Sequence, residues 1–295
     1  MTGRTRLTDA ADPDLAGNAA QIAAWNDRAG DNWTALQERL DAMFAPLTAA
    51  ALTAAAPKGG ERVIDIGCGC GATLLELASR VGSEGRVLGV DVSEPMAGRA
   101  RERIAAAGLG NAEVLVSDAA SHAFPQAAAA LLFSRFGVMF FADPAAAFAN
   151  LRRAMRPGGR LLFVAWRALS DNAWFSVPLE AARPLLPPQP APEPDAPGPF
   201  AFADEGRVRA ILSQAGWRDI ELRRRDVPIP VAGPGQIADA TELATRLEAV
   251  ARMLAEADAD LRAPVRNAVA EALRAHDSPA GITLGGSVWL VSALA

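Results

Sequence analysis

The chain has 295 residues, 51% of them apolar, enough to bury one large core with elaborations or a core with a small cap, and two fully separate domains are not expected. Its net charge of −5 argues against a protein that lives on phosphate backbones, although local basic patches such as Arg223, Arg224 and Arg225 remain. There is no tyrosine, one lysine (Lys58) and two histidines (His122 and His276), so any mechanism that needs a catalytic tyrosine is excluded.

Asp9, Asp12 and Asp14 stand where a signal peptide needs an unbroken apolar stretch. The most apolar run, Ala127 to Ala149, is interrupted by Arg135, Asp143 and Pro144, too often to span a bilayer. A cytoplasmic protein without a membrane span is therefore expected. Cys68 and Cys70 lie one residue apart, where a disulfide would be strained, so a reducing compartment suits them. No second Cys or His cluster completes a four-ligand site, so no metal is expected.

From Ala19 to Ala56 apolar and aromatic residues recur at helical spacing, among them Ile22, Trp25, Trp33, Leu36, Leu40, Phe44 and Leu47, which predicts two helices with Gly30 and Asp31 between them. Short apolar runs then alternate with helical patterns. The strands are expected at 62–66, 87–90, 112–116, 129–133 and 160–166, and the helices at 72–81, 95–107 and 144–155. Continuous rather than alternating apolar strands are buried on both faces, as in a doubly wound parallel sheet. Eight prolines between Pro184 and Pro199 predict an extended excursion, because each removes a donor and fixes φ. A helix over 204–215, a strand over 219–227, a helical stretch over 237–276 and a last strand over 287–293 complete the chain. The division expected is an N-terminal helical segment (1–57), a binding core (58–167) and a remainder (168–295) that finishes the sheet and carries Pro-rich and helical insertions.

The segment Val63 to Gly71 reads VIDIGCGCG: a buried strand, then Gly67, Gly69 and Gly71, then a helix opening at Ala72. Glycines suit a sharp turn that a ligand must approach closely, and the amides at the helix start face that ligand. Asp91 follows Gly71 by twenty residues at the end of the second strand, placed to accept hydrogen bonds from ribose hydroxyls. The combination points to a nucleoside-bearing cofactor. The dinucleotide fingerprint GxGxxG would put its third glycine one place later, which disfavours a nucleotide-dependent oxidoreductase.

Four pieces in order, DIGCGCG (Asp65 to Gly71), VLGVDVSEPM (Val87 to Met96), VSDA (Val116 to Ala119) and RRAMRPGGRLLFVAW (Arg152 to Trp166), resemble the class I S-adenosylmethionine (SAM)-dependent methyltransferases, in particular the broad group that includes quinone-biosynthesis methyltransferases. The resemblance covers roughly 62–166. It implies a Rossmann-like α/β fold with a mostly parallel seven-stranded sheet and N-terminal helices, while the helical insertion read before the last strand departs from simpler members, in which the last two strands form a close hairpin. It further implies SAM as cofactor, S-adenosylhomocysteine as product, and a small-molecule acceptor.

By the same resemblance, Gly67, Cys68, Gly69 and Gly71 would pack against the methionine part of SAM, with Asp65 near its amino group and Ser134 beside it. Asp91 would bind the ribose, Val92 and Met96 would line the adenine, and Asp118 and the Ala119 amide would meet its edge. Trp25 and Trp33 read either as core aromatics or, since N-terminal helices cover SAM in many relatives, as an aromatic face offered to the sulfonium. Arg135, a charge in an apolar run, is expected either to face the cleft as a substrate or cofactor contact or to pair with an acid. His122 reads either as a surface histidine or as a general base. Phe136, Met139, Phe140 and Trp174 suggest an apolar or aromatic acceptor surface, and could equally be core. Transfer from a sulfonium chiefly requires alignment and exclusion of water, so no single residue is expected to carry the chemistry. A SAM-binding regulatory or assembly protein without turnover would show the same motifs.

Overall fold

A computed structural model describes residues 13–187 and 196–295. Residues 1–12, with Asp9 and Asp12, and the middle of the expected Pro-rich excursion lie outside the described residues.

Three helices open the described chain, α1 (Pro13–Trp25), α2 (Arg28–Ala35) and α3 (Gln37–Ala55), rather than the two expected. The breaks fall at Asn26–Asp27 and at Leu36. Gly30 is not a break. It is buried inside α2, where an added Cβ would lie 2.1 Å from the Trp25 carbonyl oxygen and 2.8 Å from Ser93 Oγ. The glycine signals a close approach, which sequence pattern alone does not separate from a turn.

The sheet core follows as β1 (Arg62–Ile66), α4 (Ala72–Val81), β2 (Arg86–Asp91), α5 (Glu94–Ala106), β3 (Ala112–Val116), β4 (Ala129–Arg135), α6 (Pro144–Ala154) and β5 (Met155–Trp166). The chain continues through α7 (Ala173–Ala182), α8 (Glu205–Gln214), β6 (Arg218–Ala232), α9 (Ile237–Arg246), α10 (Glu248–Glu256), α11 (Arg262–Arg274), β7 (Asp277–Ser278) and β8 (Gly281–Leu294). The strand order is β3-β2-β1-β4-β5-β8-β6, with β1 to β5 parallel and β8 antiparallel to both of its neighbours. The expected seven strands are all in this path, and an eighth, two-residue β7, folds back on β8. Two residues are too few to leave a periodic signal.

The central strands are buried on both faces: Ala129, Ala130, Leu131, Leu132 and Phe133 in β4, and Leu161 to Trp166 in β5. Each Leu, Val or Phe among them contributes roughly 1.5–3 kcal/mol on burial. The edge strand β6 runs five residues beyond expectation, through Pro228 and Pro230. Both prolines are exposed while Val227, Ile229 and Val231 are buried, and an edge is where a strand tolerates the missing donors. The helical stretch expected over 237–276 is three helices. Leu247 and Ala257 take extended conformations, which lets α9 and α11 fold against each other and against α7. Local caps place the helices of the core: Ser93 Oγ accepts from the Met96 amide at α5, and Asp143 accepts from the Ala146 amide at α6.

Candidate active site

The carboxyl ends of β1, β2, β3 and β4 meet at one cleft, where open α/β sheets bind their ligands. Its floor is the turn after β1. Gly67, Gly69 and Gly71 have φ of +67°, +53° and +86°, a region that side-chain-bearing residues avoid. The Gly67 and Cys68 amides donate to the Val90 carbonyl at 2.8 and 3.2 Å, which fixes the turn to β2. A Cβ on Gly67 would come within 2.5 Å of the Gly137 Cα, so the loops that leave β1 and β4 touch backbone to backbone. Gly137 was not anticipated as a site residue, because its partner lies seventy positions away.

Asp91 closes β2. One carboxylate oxygen accepts from the Gly69 amide at 2.7 Å and the other from the Ser93 amide at 2.9 Å. Burial pushes its pKa up, against the lowering effect of the Ser93 and Gly69 amides. Asp118, after β3, accepts from the Ala120 amide at 2.9 Å and also from Asn18 of α1. Asn26 pins the helical roof to the β2–α5 turn, donating to the Val92 carbonyl at 2.7 Å and accepting from the Glu94 amide at 2.8 Å. A second latch joins α9 to the N-terminal helices through Asn32 with Arg246 and through Arg39 with Glu242.

Of the residues singled out from sequence, Trp25, Trp33, Gly67, Cys68, Gly69, Asp91, Val92, Met96, Asp118, Ala119, Arg135, Phe136, Met139, Phe140 and Trp174 line the cleft. Gly71, Ser134, Asp65 and His122 do not. Gly71 is the left-handed N-cap of α4, turned toward Ala100. Ser134 is fully buried, donating to the Ile66 carbonyl at 2.8 Å and accepting from the Gly137 amide at 3.2 Å, so it supports both loops from behind. His122 lies outside the lining: its ring packs edge-on against Phe124 at 4.7 Å and its Nδ1 is 3.2 Å from Ser117 Oγ. Residues that sequence reasoning missed include Asn18, Gln37, Asp41, Phe44, Thr73 and Trp166.

Asp65 has no exposed surface; one oxygen accepts from Thr73 Oγ1 at 2.6 Å and the other has no partner. Burial raises its pKa from 3.8 to about 7, opposed by the Thr73 hydrogen bond. Because the folded value lies above the unfolded one, the fold holds an extra proton between about pH 4 and pH 7, and stability falls as pH rises through that window. Asp65→Asn is expected to remove this dependence. Urea titrations at pH 5 and pH 8 should show the native chain losing roughly 3 kcal/mol relative to the variant over that interval. Parallel pH dependences of the two proteins would contradict the assignment.

Cys68 and Cys70 are free and buried, and burial raises both thiol pKa values, that of Cys70 to about 11. Protonated thiols are poor nucleophiles, so both act as small fillers of the tight loop. The upper wall is aromatic. Phe136 stacks on Trp166 with ring centres 4.3 Å apart, Trp174 lies 5.1 Å from Trp166, and Phe44 packs on all three. Phe136 holds φ of +70°, strained for a bulky residue, and its amide bond to the Val164 carbonyl and the Trp166 stack keep it there.

Residues 63–159 match a family model described as a methyltransferase domain. The chain is 32% identical over 228 residues to nocamycin O-methyltransferase of Saccharothrix syringae, covering 77% of this chain and 72% of that protein. The chain belongs to the class I SAM-dependent methyltransferases. This methyltransferase is also 37% identical over 120 residues to aklanonic acid methyltransferase of Streptomyces sp. strain C5, covering 41% of this chain and just over half (54%) of that relative. Among solved structures, the YcgJ protein from Bacillus subtilis has the same fold, with a TM-score of 0.55 at 18% identity over 84% of this chain and 97% of that one.

The cleft fits the methyl donor of the family on its own chemistry. The loop leaves no Cβ at Gly67 or Gly69, a carboxylate closes each of β2 and β3, and the acids Asp41, Asp91 and Asp118 outnumber the single cation Arg135 among the described lining residues. An acidic, aromatic cleft suits a ligand that carries a sulfonium and an ammonium group.

Proposed function

We propose that this methyltransferase binds SAM along the edge made by the β1 loop, Asp91 and Asp118, and transfers its methyl group to a small, apolar or aromatic acceptor held under the N-terminal helices. When bound, SAM supplies a methyl group already activated by the positive sulfur.

Each residue then has a positioning task. Asp91 accepts from the ribose hydroxyls while it keeps the Gly69 and Ser93 amides. Val92 and Met96 flank the adenine, and Asp118 and the Ala119 amide meet its edge. Gly67, Cys68 and Gly69 present backbone to the methionine portion, with the Asp65 carboxyl one layer behind. Trp25 and Trp33 cover the mouth. Phe136, Met139, Phe140 and Trp174 form the acceptor wall, and the roof excludes water so that alignment does most of the catalytic work.

The alignment of Asp91, Asp118 and the glycine loop on one cleft beside an aromatic wall supports this reading above all. The relatives named for nocamycin and aklanonic acid act on small molecules by their names. The test is release of S-adenosylhomocysteine during incubation with flat aromatic acceptors. Turnover with any of them supports the proposal, whereas tight SAM binding with no turnover on a broad panel favours a regulatory module. His122→Ala is expected to change turnover by less than about threefold, since its ring is held outside the cleft, and a loss of a hundredfold or more, the scale of a lost general base, would contradict that placement.

A further inference from the structure

We propose that Arg135 makes the enzyme selective for an acceptor that arrives as an oxyanion, a carboxylate or the anion of an enol or acidic phenol on a flat ring system. The assignment rests on the reading of the cleft given above.

Arg135 ends β4 and turns its side chain toward α3. Its NH1 donates to Thr48 Oγ1 at 2.6 Å, its guanidinium carbon lies 5.5 Å from the centre of the Phe44 ring, and its Nε is buried without a hydrogen-bond partner. Among the described residues no carboxylate forms an ion pair with it. Asp41 lines the same cleft but is held by Arg103 at 2.7 Å and by Gln37 at 2.6 Å. A guanidinium that packs on Phe44 and lines the cleft with its Nε buried and unpartnered is costly unless something completes its hydrogen bonds. An oxyanion lying against the Phe136–Trp166 stack is the group that does so.

The chemistry of the cleft points the same way. Its described lining holds no His, Lys, Glu or Tyr. Asp91 and Asp118 are each tied to backbone amides, and Asp41 to Arg103. A neutral alcohol would therefore meet no free base, whereas an acceptor with an acidic oxygen is already ionised near neutral pH and needs none. In the transfer a lone pair of the acceptor oxygen forms the new O–C bond. The S–C bond breaks with its electron pair returning to sulfur, so the negative charge on oxygen and the positive charge on sulfur vanish together and no proton moves.

The donor's own carboxylate is the other source of an oxyanion, and the experiment separates the two. Matched acid and amide pairs (benzoate and benzamide, 2-naphthoate and 2-naphthamide, anthraquinone-2-carboxylate and its carboxamide) are titrated into the full chain saturated with S-adenosylhomocysteine. The acid of at least one pair is expected to bind tenfold or more tighter than its amide. Arg135→Gln should abolish that preference while S-adenosylhomocysteine affinity stays within twofold, and Arg135→Lys should keep part of it. Equal binding or no binding of every pair overturns the proposal, as does a preference that survives Arg135→Gln. A tenfold loss of S-adenosylhomocysteine affinity with the acid preference intact also overturns it, and places the guanidinium on the donor. If Arg135→Gln does not fold, the wild-type comparison and a threefold or greater weakening in Arg135→Lys decide the matter. Failure of the native chain to bind S-adenosylhomocysteine defeats the reading of the cleft itself, and the assignment of Arg135 falls with it.

Discussion

Replacing Asp91 with alanine is expected to weaken S-adenosylhomocysteine binding by on the order of 10²- to 10⁴-fold. A carboxylate that accepts from two ribose hydroxyls makes two charge-assisted hydrogen bonds, each worth about 1.5–3 kcal/mol when lost. The same substitution frees the Gly69 and Ser93 amides, which Asp91 holds at 2.7 and 2.9 Å, so the glycine loop loses its tether to β2. Titration calorimetry gives the affinity, and circular dichroism establishes that the variant is folded. An Asp91→Ala protein that binds within threefold of the native chain would remove this carboxylate from the site.

The second large effect is steric. Gly67→Ala is expected to cost about 2–4 kcal/mol, combining a left-handed backbone with overpacking. The new Cβ would lie 2.5 Å from the Gly137 Cα, and neither loop can yield without moving Ile66, Ser134 or Phe136. A melting temperature lowered by roughly 3–7 °C and weaker cofactor binding should appear together. Gly98→Ala is the control: it sits within α5 with nothing within 4 Å of an added Cβ, and should stabilise by up to about 1 kcal/mol. Equal effects of the two substitutions would mean that the Gly67–Gly137 contact does not constrain the cleft.

The parallel core was legible because its signals are local. A buried strand, a glycine turn and an acid at the next strand end each leave a mark in sequence, and β1, α4, β2 and β3 fall within a residue or so of expectation. The N-terminal helices were misdivided because helical periodicity runs across Asn26 and Leu36, and because Gly30 is explained by its close approach to the Trp25 carbonyl and to Ser93, contacts that exist only once the chain is folded. Long-range pairing also hid Gly137, Phe44 and Trp166, whose roles arise only once β4, α3 and β5 converge. At His122 residue type did not reveal the ring's neighbours, Phe124 and Ser117. At Asp65 and Ser134 the spacing did not show that the carboxylate turns to Thr73 and the hydroxyl to the Ile66 carbonyl. Sequence spacing does not say which side of a turn a side chain takes.

One titration bears most directly on the whole account: calorimetry of the native chain with S-adenosylhomocysteine and, separately, with NADH. Saturable binding of the first at micromolar or tighter affinity with no heat from the second is the expected result. Binding of NADH with indifference to S-adenosylhomocysteine would mean that the acids closing β2 and β3 serve a different nucleotide, and the account would be wrong at its root.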